Sequence, residues 1–368
     1  MAPVFEYDLN QPIHAVAPAV LGLIVVIGVV GNCGTVAAIL SQSKMKTIPN
    51  MYFLNIALAD LMLGVAIPFL AYQFSQSRWI FGSTLCKLTL PLDTLNQFIT
   101  AYTLIMLAVD RYLVIAHPEA AARLRSMKRA RIAIVAIWIV AVLFALPMWL
   151  YASVDSQSSN RVKSCLYVWP QYYGDHWHVI YTFACVYAIP LLIVSILFIL
   201  VLKSFTKGRW KPDGEGAKPS RKPTKGVTKL AVLISIIYGV SWLPYYLILL
   251  IRMSKKPDSQ SYDAFAAYIA SRCFALADSC INPLIYILFS ENFRQGFISI
   301  VPLWSARDSK GITGEYRNWI LRSWSRDYRR SSVAESAKSY PVMDTHSFSV
   351  LGLTSDQHKA RRQRRRTI

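Results

Sequence analysis

The third long apolar run of the sequence carries four polar residues, Asp93, Asn96, Gln97 and Thr100, at offsets of three, four and seven. On a helix these offsets put all four on one face. Inside a membrane each is costly, so the face must point into a helix bundle, where it serves either a ligand or interhelical hydrogen bonding. Asp60 in the second run and Asp278, Ser279 and Asn282 in the seventh lie at comparable depth. Such a cluster offers hard oxygens to a monovalent cation, the alternative being a dry polar network that joins helices. Two close acids in a low dielectric repel if both are ionised, so either a cation sits between them or one holds a proton. In the sixth run Tyr238, Trp242, Tyr245 and Tyr246 share a face. Core packing would explain that spacing, but Pro244 removes a helix hydrogen bond there and makes a hinge. No nucleophile and base pair or metal-ligand cluster stands out, so an enzyme and a cofactor are not expected.

These residues need seven helices to position them. A spanning helix takes roughly 20 mainly apolar residues, and the qualifying stretches are 15–41, 51–75, 86–116, 130–152, 178–203, 227–251 and 263–289. The chain is 54% hydrophobic and 16% charged, too apolar for an ordinary soluble domain. Its formal net charge of +20 sits in the links and the tail, which points to lipid headgroups of a bilayer and not to nucleic acid. Lys44, Lys46, Arg123, Arg125, Lys128, Arg129 and Arg131 fill the first and third links, and Lys207 to Lys225 fill a Gly/Pro-rich fifth link. The positive-inside rule then puts the N-terminus outside.

The expected fold is an all-α membrane protein, a seven-transmembrane helix bundle. A short extracellular N-terminus covers 1–14, the receptor domain 15–301, and a cytoplasmic, disordered, basic and Ser-rich tail 302–368. SENFRQGFISIV reads as a short amphipathic surface helix with Phe293, Phe297 and Ile298 on its apolar side. No cleavable signal peptide is expected, because a basic n-region is missing from MAPVFEYDLNQPIH. Of the six cysteines, four lie inside apolar runs, and Cys86 and Cys165 look like bridge partners.

Each run also carries a recognisable signature. Asn32 follows Gly31, LAD ends at Asp60, Cys86 opens the third run, and Asp110-Arg111-Tyr112 closes it. Trp138 and Pro147 mark the fourth, Pro190 the fifth, SWLPYY with Trp242 and Pro244 the sixth, and NPLIY from Asn282 to Tyr286 the seventh. In this order they resemble the class A, rhodopsin-like G-protein-coupled receptors over residues 20–300. WIFGSTLCKL, LDTLNQF, VDRYLVIAHP and VTKLAV more closely resemble the peptide-receptor branch of somatostatin, opioid and allatostatin C receptors.

The resemblance implies an extracellular peptide ligand whose cation pairs with Asp93, with Gln97, Trp242, Tyr245, Tyr246, Leu249 and Leu276 around it. It implies an allosteric sodium site of Asp60, Asn96, Thr100, Ser279 and Asn282, with Asp278 adjoining, and a disulfide between Cys86 and Cys165. Asp110, Arg111, Tyr112, Thr228, Pro244, Pro283 and Tyr286 would carry activation of a heterotrimeric G protein of the inhibitory class, lowering cyclic AMP from the plasma membrane. Arg329-Arg330-Ser331-Ser332 resembles a basophilic kinase site, so receptor kinases and arrestin are expected partners of the tail.

The chain departs from that branch at several positions. Leu276 replaces a tyrosine bonded to the anchor aspartate, Leu249 a polar ligand contact, Asp278 an asparagine, Phe198 a tyrosine and Ser241 a cysteine. A biogenic-amine receptor also needs Asp93, and Thr182 offers it one hydroxyl, but paired serines are missing and LNQF argues against it.

Overall fold

The computed structural model describes residues 12–156, 163–170, 176–206, 222–253 and 262–305. The chain divides into two compact units, Met1–Trp304 and Ser305–Ile368. Apart from Ser305 the second lies outside the described residues, as do the expected N-terminal segment through residue 11, most of the fifth link and the Arg329-Arg330-Ser331-Ser332 site.

Among the described residues, seven helices are long and apolar enough to cross a membrane. The first span is Ile13–Ser41, the second Ile48–Gln76, the third Gly82–Ala116 and the fourth Met127–Tyr151. The fifth runs over Trp177–Thr206 with a π-turn at Phe183–Ala188, and the sixth over Lys222–Met253. The seventh covers Tyr262–Phe289 and is interrupted at Ala277. These bounds follow the apolar runs because backbone polar groups in hydrocarbon must be satisfied within the helix. The third span is the hub: every residue from Asp93 through Ala101 is buried, as expected for a helix enclosed by neighbours.

Proline places specific demands on the packing. A proline leaves the carbonyl four residues before it without a helix donor. Before Pro190 that carbonyl belongs to Val186, and the Tyr238 hydroxyl of the sixth span donates to it at 2.9 Å. The Tyr187 hydroxyl returns a bond to Gly239 O at 2.7 Å, tying the fifth and sixth spans together at the π-turn. Before Pro283 the carbonyl belongs to Ser279, and Asn32 Nδ2 of the first span donates to it at 2.9 Å. A Cβ on Gly31 would stand 2.7 Å from Pro283 Cβ, so only glycine allows this approach. Asn55 joins three more spans, donating to Thr103 Oγ1 at 2.8 Å and accepting from Trp138 Nε1 at 2.8 Å.

Two strands, β1 (Ala152–Ser156) and β2 (Lys163–Tyr167), pair antiparallel with Val154 opposite Cys165. Cys165 is disulfide-bonded to Cys86 at the start of the third span. Gln73 of the second span holds the Cys165 backbone from both sides, its amide donating to Cys165 O at 3.1 Å and its carbonyl accepting from Cys165 N at 2.8 Å. The hairpin is therefore fixed to two helices at one end of the bundle. At the other end the surface helix Glu291–Ser305 continues past the expected boundary at 301. Phe293 is buried between Phe53 and Tyr286, and Phe297 packs against Gly34.

Candidate functional site

The four buried aspartates of the bundle, Asp60, Asp93, Asp110 and Asp278, have different surroundings. Asp93, near the hairpin, is buried and forms an ion pair with Arg272 of the seventh span. Its Oδ2 also accepts from Gln97 Nε2 at 3.0 Å, and Gln97 Oε1 accepts from the Tyr246 hydroxyl at 2.8 Å. The Arg272 guanidinium lies 4.9 Å from the Tyr245 ring centre and 5.6 Å from that of Trp242. The third, sixth and seventh spans thus meet in one polar network roofed by aromatic rings, where cation–π attraction adds to the ion pair. Tyr167 of β2 reaches down to it, donating to Leu90 O at 3.1 Å and lying 3.4 Å from Thr94 Oγ1. Burial pushes the Tyr167 phenol above its ordinary range, so it stays a neutral donor.

Arg272 is the residue that the motif pattern misses, and it changes the expectation for Asp93: the carboxylate already has a counter-charge within the protein. Leu276 stands one turn further on, packed in an apolar cluster with Leu21, Ile24 and Leu63 of the first and second spans. The partner missing at Leu276 is supplied from Arg272. The signal was present in SRCFALAD, because a lone arginine inside a span is a functional hypothesis by default. Leu249 is partly buried against the main core, without a polar role.

Deeper in the bundle Asp60 accepts from Asn96 Nδ2 at 3.1 Å and from Asn282 Nδ2 at 3.4 Å. Asp278 is buried as well, and neither acid forms an ion pair among the described residues. Asp278 Oδ1, Asn282 Oδ1 and Thr100 Oγ1 are buried oxygens that make no hydrogen bond among the described residues. That donor set of hard oxygens from the second, third and seventh spans fits a small monovalent cation. The Ser279 hydroxyl does not join it, since it donates to Leu276 O at 2.9 Å in its own helix.

Asp110 has two cations. Arg111 binds its Oδ2, and Arg125 Nε, from the turn after the short helix Pro118–Leu124, reaches Oδ1 at 2.6 Å. Tyr112 faces away and pairs with His117 Nε2 at 3.1 Å. Tyr286 is buried and stacked on Phe293 with ring centres 5.1 Å apart. Thr228 lines an apolar groove with Leu202, Phe205 and Val232 between the fifth and sixth spans. Pro244 lies within an unbroken helix, two residues after Trp242.

This arrangement of spans, disulfide and charged ends agrees with comparison to known proteins. The family described as 7 transmembrane receptor (rhodopsin family) matches residues 31–286. The chain belongs to that family. It is a multi-pass membrane protein and a signalling receptor, not an enzyme. It is 31% identical over 291 residues to the somatostatin receptor type 5 of Bos taurus, covering 78% of this chain and 76% of that one. It is 30% identical over 304 residues to the somatostatin receptor type 2 of Mus musculus, covering 81% and 79%. An allatostatin-A receptor of Bombyx mori is 30% identical over 296 residues, covering 80% and 81%. These relatives favour the peptide-receptor branch, and nothing favours the amine alternative: the Thr182 hydroxyl donates to His178 O at 2.8 Å within its own turn.

Proposed function

We propose that this receptor sits in the plasma membrane with its N-terminus outside, binds an extracellular peptide bearing a basic group, and activates an inhibitory heterotrimeric G protein that lowers cyclic AMP. The observation that carries the reading is Asp93, a buried carboxylate under the disulfide-fixed hairpin and against the aromatic face of the sixth span. A ligand cation would meet that carboxylate beside Arg272. The motion that follows has its hinge at Pro244, with Trp242 and Tyr246 sensing the ligand. Outward swing of the cytoplasmic half would release Arg111 from Asp110 and open the cleft beside Thr228 for the G protein. The ligand drives this only by binding the open form more tightly.

Asp60, Thr100, Asn282 and Asp278 would hold a sodium ion, with Asn96 orienting Asp60. The ion would supply the positive charge the two acids lack, and a bundle closed around it would favour the resting form. Receptor kinases and arrestin are proposed to act on the tail. The test is inhibition of cyclic AMP in cells expressing the chain, challenged with a panel of amidated and cyclic neuropeptides including somatostatin. Inhibition by a basic peptide supports the reading, and silence across the panel at confirmed surface expression refutes it.

A further inference from the structure

The ion pair between Asp93 and Arg272 is only half used. Both contacts to the carboxylate, from Arg272 Nη2 and from Gln97 Nε2, fall on Oδ2. Asp93 Oδ1 and Arg272 Nη1 are buried and make no hydrogen bond among the described residues. The two residues are 7% and 6% exposed. One acceptor and one donor of opposite charge therefore stand unspent at the same junction of the third and seventh spans.

Charge balance decides what can enter. The pair is neutral as it stands, and among the described residues no second carboxylate pairs with Arg272. A ligand that brings only a cation to Asp93 leaves the junction with one net positive charge in a low-dielectric bundle. Arg272 would then be a buried guanidinium without a full counter-ion, which is strongly unfavourable. The rings of Tyr245 and Trp242 cover its face but do not neutralise it. A ligand that brings only a carboxylate strands Asp93 in the same way. A group of both signs keeps the balance and uses both free atoms.

We propose that the ligand element recognised here is zwitterionic, a basic nitrogen for Asp93 Oδ1 beside a carboxylate for Arg272 Nη1. The inference rests on the reading of Asp93 as the ligand anchor and adds Arg272 as a second anchor of opposite sign. The carboxylate belongs either to a peptide C-terminus or to an Asp or Glu side chain near the basic residue.

The test uses the full chain in lipid nanodiscs, with thermal unfolding read against 6-aminohexanoate and, as single-charge controls, butylammonium and acetate. The zwitterion is expected to raise the unfolding midpoint of wild type and of Arg272→Lys, to do so more than either control, and to fail with Arg272→Gln. An equal shift from butylammonium alone, a shift that survives in Arg272→Gln, or no shift in wild type overturns the proposal. Basic peptides active in the cyclic AMP assay supply the second arm, each compared as free acid, as C-terminal amide, and with acidic side chains changed to Asn or Gln. Removing the critical carboxylate should weaken wild type roughly 30-fold or more and Arg272→Gln by far less. Amidation locates that carboxylate at the C-terminus, and the side-chain changes locate it within the peptide. Potency that depends on Asp93 but on no ligand carboxylate refutes the zwitterion and leaves the receptor reading intact. Potency independent of Asp93 refutes the anchor itself.

Discussion

Asp93 and Asp60 are both buried carboxylates facing the centre of one bundle, yet the protein treats them differently. Asp93 meets an arginine from the seventh span, whereas Asp60 meets only two amides and stands near a second acid, Asp278. Opposite charges inside a bundle hold helices together by themselves. Two acids without a cation depend on something from the surroundings, an ion or a proton, and so remain responsive to it. On the proposed reading the upper site would receive a ligand and the lower one would be tuned by the medium.

The contrast can be broken most severely at Arg272. Arg272→Gln leaves Asp93 buried without its counter-charge and should destabilise the receptor by about 3–5 kcal/mol, while pairing it with Asp93→Asn should recover much of the loss. Thermal unfolding in nanodiscs reads both, and additive losses would show that the two residues do not work as a pair. Next in size is the hairpin above the site: Cys86→Ser should cost about 2–4 kcal/mol and lower surface expression. Peptide mapping without reduction should recover Cys86 and Cys165 as one linked fragment from wild type, and free thiols at both would contradict the structure.

At the lower site the expected effect is a coupling of about 1–3 kcal/mol between sodium and agonist, seen as a rightward shift of agonist curves when sodium replaces a large organic cation. Asp60→Asn should abolish it. A response to pH in place of sodium would mean that one carboxyl of the Asp60 and Asp278 pair carries a proton, and insensitivity to both would reduce the cluster to structural glue. The smallest effect belongs to Arg125. Its side chain is 31% exposed, so its bond to Asp110 should contribute under about 1 kcal/mol, and Arg125→Ala should raise ligand-free signalling slightly while leaving Arg111 in place.

Much of this was legible in the residues, for physical reasons. Hydrophobic runs report span positions because the bilayer forces length and composition together, and the polar face of the third span follows from helical period alone. The bond from Asn96 to Asp60 and the link between Cys86 and Cys165 joined residues already singled out. Arg272 stood out only as a lone arginine in a span; its pairing with Asp93, 179 positions away in the sequence, appears only when packing brings the two spans together. The same holds for Arg125, which looks like one more loop cation until the chain folds it onto Asp110. Tyr238 and Asn32 likewise show their purpose only when the carbonyls freed by Pro190 and Pro283 are found beside them.

Asp93 is the proposed point where an agonist's positive charge meets the receptor. Cyclic AMP dose responses to a basic peptide agonist, compared between wild type and Asp93→Asn at matched surface expression, test it directly. A loss of potency corresponding to about 2–5 kcal/mol is predicted, the usual cost of removing one partner of a buried charged pair. An unchanged dose response would contradict it.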